Sequence, residues 1–273
     1  MSAGEAFDRS AYSPQGPAVR EWFCIDTADQ SGEFNMKFDL GLVEEFRITG
    51  RPVLRFYSWK PYCISLGKNQ THSDINAALA GRDGIDIVMR PTGGKAVLHA
   101  EELTYSVVME TRGMSVRDSY NMISTALVEG LRALGADLEL SQSSADFQKL
   151  FRDPSAIPCF STSAVYEVEH RGRKLVGSAQ HRFGGVLLQH GSVLIGNYHK
   201  EIVKYLNVGE ELKEKTRQDL ESHTTTLKEI LGRDIGRGEI IGAVKGGFEK
   251  TFGADFSTSD GVNLRRKIGM FGS

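Results

Sequence analysis

The sequence predicts an α+β fold, on three observations. Apolar runs of strand length recur along most of the chain, and a few longer segments instead space their apolar residues at steps of three and four. The strands are mainly sequential, so one sheet with helices laid on it accounts for both patterns.

The elements follow in order. Residues 21–26 form a short apolar run and read as the first strand. Residues 33–47 place Phe34, Phe38, Leu42 and Phe46 at steps of four with Gly50 beyond, an amphipathic helix with a glycine stop. Strands are expected over 53–59 and 62–66, broken at Pro61, and Ser73-Asp74 reads as the cap of a short helix through Ala80. Residues 85–110 read as three consecutive strands (85–89, 96–99 and 103–109), with Thr92-Gly93-Gly94 in the first turn. Residues 116–134 make the strongest helix, with Tyr120, Ile123, Leu127, Leu131 and Leu134 on one face. A hairpin is expected from 165–168 and 173–178 around Arg171-Gly172, then a strand over 185–195 interrupted by Gln189-His190-Gly191. Ile240, Ile241, Val244 and Phe248 mark a last helix. No repeat or linker-like composition interrupts residues 21–255, so one catalytic-size domain is expected there, with 1–20 as a flexible leader and 256–273 as a tail.

Composition narrows the function. A hydrophobic fraction of 40% with 25% charged residues suits an ordinary globular core. The net charge of −2, from 33 basic and 35 acidic side chains, argues against a general nucleic-acid binder. No apolar run approaches the ~18 residues of a membrane span, and the first residues lack the charged start and apolar stretch of a secretory signal. The three cysteines, Cys24, Cys63 and Cys159, are few, odd in number and irregularly spaced. They suggest neither a disulfide framework nor a zinc site, and a reducing cytoplasm is expected. There a lone cysteine is either a small buried hydrophobe or a nucleophile.

Three segments carry candidate chemistry. In Arg90-Pro91-Thr92-Gly93-Gly94-Lys95-Ala96-Val97-Leu98-His99, two glycines permit close backbone approach, and their N–H groups can line an acyl or phosphate-bearing ligand. A plain hairpin turn explains the same residues. In Gly172-Arg173-Lys174-Leu175-Val176-Gly177-Ser178-Ala179-Gln180, Lys174 falls on a strand expected to be buried. An amine in an apolar cleft loses its proton more readily and can serve as a base, whereas a snorkelling lysine does neither. In Val186-Leu187-Leu188-Gln189-His190-Gly191-Ser192-Val193-Leu194, Gln189 and His190 must find partners or line a cavity.

Taken together and in this order, the three segments resemble the motifs of the biotin/lipoyl protein ligase superfamily over roughly residues 21–250. Trp59-Lys60-Pro61 with Ile64-Ser65-Leu66-Gly67 and Gln70 fits the family's early hairpin. The resemblance implies a catalytic domain like those of class II aminoacyl-tRNA synthetases and biotin ligases: a mixed central sheet, a smaller sheet and flanking helices. It implies a bifurcated tunnel for acyl chain and cofactor with Lys174 at its heart. Arg90, Thr92, Gly93, Gly94 and His99 from the first motif, Gly177, Ser178 and Ala179 from the second, and Gln189, His190 and Gly191 from the third are then expected to bind substrate.

Within that superfamily the ligases activate the acid with ATP, while octanoyltransferases receive it as a thioester on acyl carrier protein. Pro158-Cys159-Phe160, Tyr166-Glu167 and Lys174 resemble the group of ligase-like octanoyltransferases that use a cysteine upstream of the lysine motif. Lys95 in place of a third glycine points the same way. The resemblance implies Cys159 as nucleophile and Lys174 as its partner, either taking the thiol proton or, once charged, stabilising the thiolate. It implies no cofactor and no metal. The partners expected are octanoyl-acyl carrier protein and a lipoyl-carrier domain, either the glycine cleavage H protein or a dehydrogenase E2 lipoyl domain, with no nucleic acid and no membrane. Two rivals remain: an ATP-dependent lipoate–protein ligase and an octanoyl amidotransferase between lipoyl domains. A catalytically silent binding module is a third, of a different class. Cys24 and Cys63 are expected in the core.

Overall fold

A computed structural model describes residues 20–141 and 167–257. β1 (Glu21–Gln30) leads through α1 (Gly32–Thr49) to β2 (Val53–Trp59), which lies parallel to β1; a parallel pair needs such a crossover, and α1 supplies it. Ser31 caps α1 by accepting from the Phe34 amide, and Gly50 ends it at φ 65°, a left-handed turn that glycine makes without strain. β3 (Cys63–Leu66), α2 (Ala77–Arg82), β4 (Asp86–Met89) and β5 (Val97–His99) follow, then β6 (Glu102–Glu110) and α3 (Val116–Arg132). α3 opens on a capping box between Ser115 and Asp118. β7 (Glu139–Leu140), β8 (Val168–His170), β9 (Arg173–Phe183) and β10 (Val186–Leu194) come next. Short helix α4 (Ile202–Tyr205), α5 (Glu210–His223), short α6 (Leu227–Leu231), α7 (Arg237–Phe252) and β11 (Asp255–Ser257) complete the order.

Eight strands form one mixed sheet in the order β11-β1-β2-β6-β10-β9-β8-β7, and a separate three-stranded sheet runs β4-β3-β5. The expected α+β class, with a large and a small sheet, is what the chain adopts. Alternation along the strands divides the core. Leu54, Phe56, Leu187 and Val193 face α3 and α7 in one cluster with Ile123, Leu127, Ile240 and Phe248. Val53, Val108 and Leu188 turn the other way and bury Phe38, Leu42 and Phe46 of α1. α3 and α7 touch through glycine: a Cβ added at Gly247 would stand 2.0 Å from the Ala126 carbonyl oxygen.

Three local expectations are corrected. Strands 85–89 and 96–99 do not form a hairpin through Thr92-Gly93-Gly94. β4 runs parallel to β3 and β5 antiparallel to its other side, so that segment crosses over β3. The close approach is made possible at Gly67, where a Cβ would fall 2.0 Å from the Gly94 oxygen. Ser73-Asp74 lies in a 3-10 turn (His72–Asp74), and Asn76 caps α2 by accepting from the Leu79 amide. β10 is not interrupted at Gln189-His190-Gly191; those residues pair in register with both β6 and β9, because the polar side chains find partners on either face. The exposed helix α5 escaped the periodicity reading because it buries only Thr216 and Leu220. The Arg171-Gly172 turn is as expected, with φ values of 50° and 72°.

Candidate active site

Strands β2, β6, β10 and β9 present their α1-facing side to the small sheet, and between them lies a cavity. Seven of the expected binding residues line it: Arg90, His99, Gly177, Ser178, Ala179, His190 and Gly191. Met36, Tyr57, Trp59, Ser65, Val97, Thr104 and Ser192 complete the wall. Thr92, Gly93, Gly94 and Gln189 stand outside it. Thr92 is buried behind His190, and the Gly93 carbonyl accepts from Nε (3.1 Å) and one terminal nitrogen (2.9 Å) of Arg90. Gly94 rests on Gly67. Gln189 points to the opposite face of the sheet, where its amide donates to the Tyr105 hydroxyl at 2.9 Å. Gly191 is required by space: a Cβ there would meet Ser178 Oγ at 2.5 Å and the Gly177 oxygen at 2.7 Å.

A buried polar chain stands behind one side of the cavity. Arg55 and Asp39 are fully enclosed and pair at 2.7 Å, with further hydrogen bonds to Asp39 from Tyr57 (3.0 Å) and Ser106 (2.8 Å). His190 Nδ1 meets Asp39 Oδ2 at 3.1 Å; a carboxylate only accepts, so this nitrogen carries the proton. Nε2 then accepts from the Thr92 hydroxyl at 2.7 Å. Burial works against ionising Asp39, but Arg55 and His190 outweigh it and hold the carboxyl below its usual range. Burial likewise depresses the His190 pKa, against the pull of Asp39, so the imidazole is neutral at pH 7.

The other side is ordered by a second chain. Arg90 donates to Ser65 Oγ at 3.0 Å, so the Ser65 hydroxyl turns its own proton to His99 Nε2 at 2.7 Å. His99 Nδ1 meets Glu102 Oε1 at 2.9 Å, and the ring stacks on Trp59 with centroids 4.0 Å apart.

Lys174 lies three residues before Gly177 on β9 and is not part of the cavity wall. Its side chain is 1% exposed, with Nζ 2.6 Å from Glu167 Oε1. The sequence suggested a lone amine among apolar neighbours; the structure places a carboxylate beside it instead. Cys159 lies outside the described residues. Burial pushes the Cys24 thiol up to about 11 and Cys63 well above its ordinary value, so both stay protonated; Cys63 is buried as expected, whereas Cys24 is half-buried against the core.

Several cavity and network residues were not foreseen. Asp39 and Arg55 each interrupt an apolar pattern, one on the buried face of α1 and one inside Val53–Trp59, and an unexplained charge in such a run was the available signal. Glu102, Thr104 and Ser192 carry no such mark, because polar residues at strand ends are ordinary.

With this geometry the chain can be placed among known proteins. The catalytic-domain model of lipoyl protein ligases A and B matches residues 31–249. Octanoyltransferase LipM of Kyrpidia tusciae is 35% identical over 243 residues, 86% of this chain and 89% of that protein. The LipM octanoyltransferase of Bacillus subtilis is 34% identical over 238 residues, 84% and 85% of the two chains. Among solved structures, a bipartite lipoate protein ligase of Thermoplasma acidophilum, described with its E2 lipoyl domain, superposes with a TM-score of 0.72 at 20% identity over 91% of both chains. A lipoate-protein ligase A bound with ATP gives 0.70 at 21% identity, over 91% of this chain and 94% of that one. At those identities the structures speak for the fold alone. The chain belongs to the lipoyl protein ligase A/B catalytic-domain family, in the branch of the LipM octanoyltransferases.

Proposed function

We propose that this acyltransferase moves octanoyl from octanoyl-acyl carrier protein to the lysine of a lipoyl-carrier domain, through a thioester on Cys159 and without ATP. The observation that carries the reading is the buried Lys174–Glu167 pair at 2.6 Å, with Lys174 on the strand that continues into the cavity wall, in a chain with LipM octanoyltransferase relatives. No helix among the described residues is long and apolar enough to cross a membrane.

The chemistry balances in two steps. The Cys159 thiolate attacks the carrier thioester; a new S–C bond forms, the old one breaks, and the carrier leaves as a thiolate that takes up the proton the cysteine gave up. Exchange of one thioester for another is close to thermoneutral. The acceptor amine then attacks the acyl-enzyme, an N–C bond replaces the S–C bond, and the proton moves in net from nitrogen to the departing sulfur. A free cysteine is only a few per cent thiolate at neutral pH. Lys174, held beside Glu167, is placed either to take the thiol proton or, once charged, to stabilise that thiolate and the oxyanion that follows. His190 and Arg90 shape the cavity that receives the acyl chain.

Intact mass spectrometry of the enzyme incubated with octanoyl-acyl carrier protein and no ATP tests this. One octanoyl adduct is expected, mapping to Cys159 and absent from Cys159→Ala. An adduct that requires ATP, or release of AMP during transfer, would instead make the protein a ligase.

A further inference from the structure

Glu102 is absent from the motifs that marked the site, yet one of its oxygens organises much of the cavity wall. Its side chain is 1% exposed. Oε1 accepts from His99 Nδ1 at 2.9 Å, from Thr104 Oγ at 2.5 Å and from Ser192 Oγ at 2.8 Å. Thr104 Oγ in turn accepts from the Trp59 indole at 2.7 Å. His99, Thr104, Ser192 and Trp59 all line the cavity, while Glu102 does not. Glu102 belongs instead to a neighbouring open cleft, with Asp29, Ser58, Lys60, Tyr62 and Glu101. Trp59 and His99 line both spaces. Their stacked rings, 13° from parallel, are therefore a partition between cavity and cleft.

The sheet order gives the partition a direction. Lys174 sits on β9 and Trp59 on β2, three strand pairings away, or about 14 Å at the spacing of neighbouring strands. If the acyl carbonyl reacts near Lys174, as the proposed function requires, the methyl end points at Trp59 and His99.

We infer that Glu102 is a positioning residue that sets acyl-chain length. It tethers both rings of the partition through a single oxygen, the Trp59 ring by way of Thr104, and so fixes where the cavity ends. Without the tether the rings are free to tilt, and the cleft behind them becomes room for further methylenes. The inference rests on the acyl cavity of the proposed function but not on its cysteine chemistry, and equilibrium binding separates the two.

The experiment compares Glu102→Ala, Glu102→Gln and the unaltered protein. It reads displacement of a fluorescent fatty acid by octanoate and by dodecanoate, together with transfer from octanoyl- and dodecanoyl-acyl carrier protein. In Glu102→Ala the dodecanoyl-to-octanoyl ratio, in binding and in kcat/KM, is expected to rise at least about tenfold, the scale on which apolar pockets discriminate methylenes. Glu102→Gln keeps an acceptor oxygen for the three donors and is expected to stay within about twofold of the unaltered ratio. Should Glu102→Ala fail to fold, Thr104→Val releases the Trp59 arm alone and is expected to raise the same ratio. An unchanged ratio in a folded variant, or an equal loss for both chain lengths, overturns the inference. Failure of the unaltered protein to bind octanoate overturns it too, and the acyl-cavity reading with it; chain-selective binding without transfer supports it while rejecting the proposed chemistry.

Discussion

Lys174 and Glu167 place opposite charges almost wholly out of water, and their value to the fold is distinct from their value to the reaction. Removing one member of a buried ion pair costs about 3–5 kcal/mol, whereas replacing both by apolar groups of similar size is often neutral. Lys174→Ala is therefore expected to lower transfer, as the sequence suggests, and also the urea midpoint, whereas the sequence suggests an intact fold. The double variant Lys174→Met, Glu167→Leu is expected to regain most of the stability with transfer still down by about a hundredfold or more. Recovery of transfer together with stability would confine the pair to a structural role. The same separation applies to Asp39, whose carboxylate neutralises the enclosed Arg55 while orienting a histidine that lines the cavity.

At the scale of elements, glycine decides how closely backbones approach. Gly67 lets the end of β3 rest on the Gly93-Gly94 segment, and that contact holds the loop whose carbonyls receive Arg90. Gly247 lets α7 press on α3, on the sheet face away from the cavity. A methyl group has no room at either position, and overpacking of this kind costs about 1–3 kcal/mol. Both Gly67→Ala and Gly247→Ala are expected to lower the urea midpoint. Only Gly67→Ala is expected to raise KM for the acyl donor, because only it displaces a wall of the cavity. Equal KM values in the two variants would contradict this account of the loop.

For the whole molecule, pH acts on stability through histidines buried in their neutral form. His199, 2% exposed between the Gly196 carbonyl and Thr224 Oγ, has its pKa lowered by burial to about 4. The unfolded chain takes up its proton near the ordinary value of 6.5, so this contribution is complete above that pH. It is lost progressively as pH falls from 6.5 toward 4, by roughly 3 kcal/mol in all. His190 and Asp39, both lowered, act in the same direction at their own values. Urea midpoints between pH 7 and pH 4 should fall, and His199→Gln should flatten part of that slope. A His199→Gln slope equal to the parent's would remove His199 from the explanation. Sequence by itself determined what depends on local pattern: the α+β class, α1 from its four-residue spacing, the Arg171-Gly172 turn, and the three motifs that supply half of the cavity wall. Tertiary structure decided what depends on pairing between distant segments. Only pairing puts β3 between β4 and β5, turns Gln189 away from the cavity and His190 toward it, and gives Lys174 a carboxylate. Spacing along the chain fixes only that neighbouring strand residues point to opposite faces; which face meets the cavity, and which neighbour a side chain finds there, is set by segments as far apart as Asp39 and His190, and the chemistry of a buried charge follows from that neighbour.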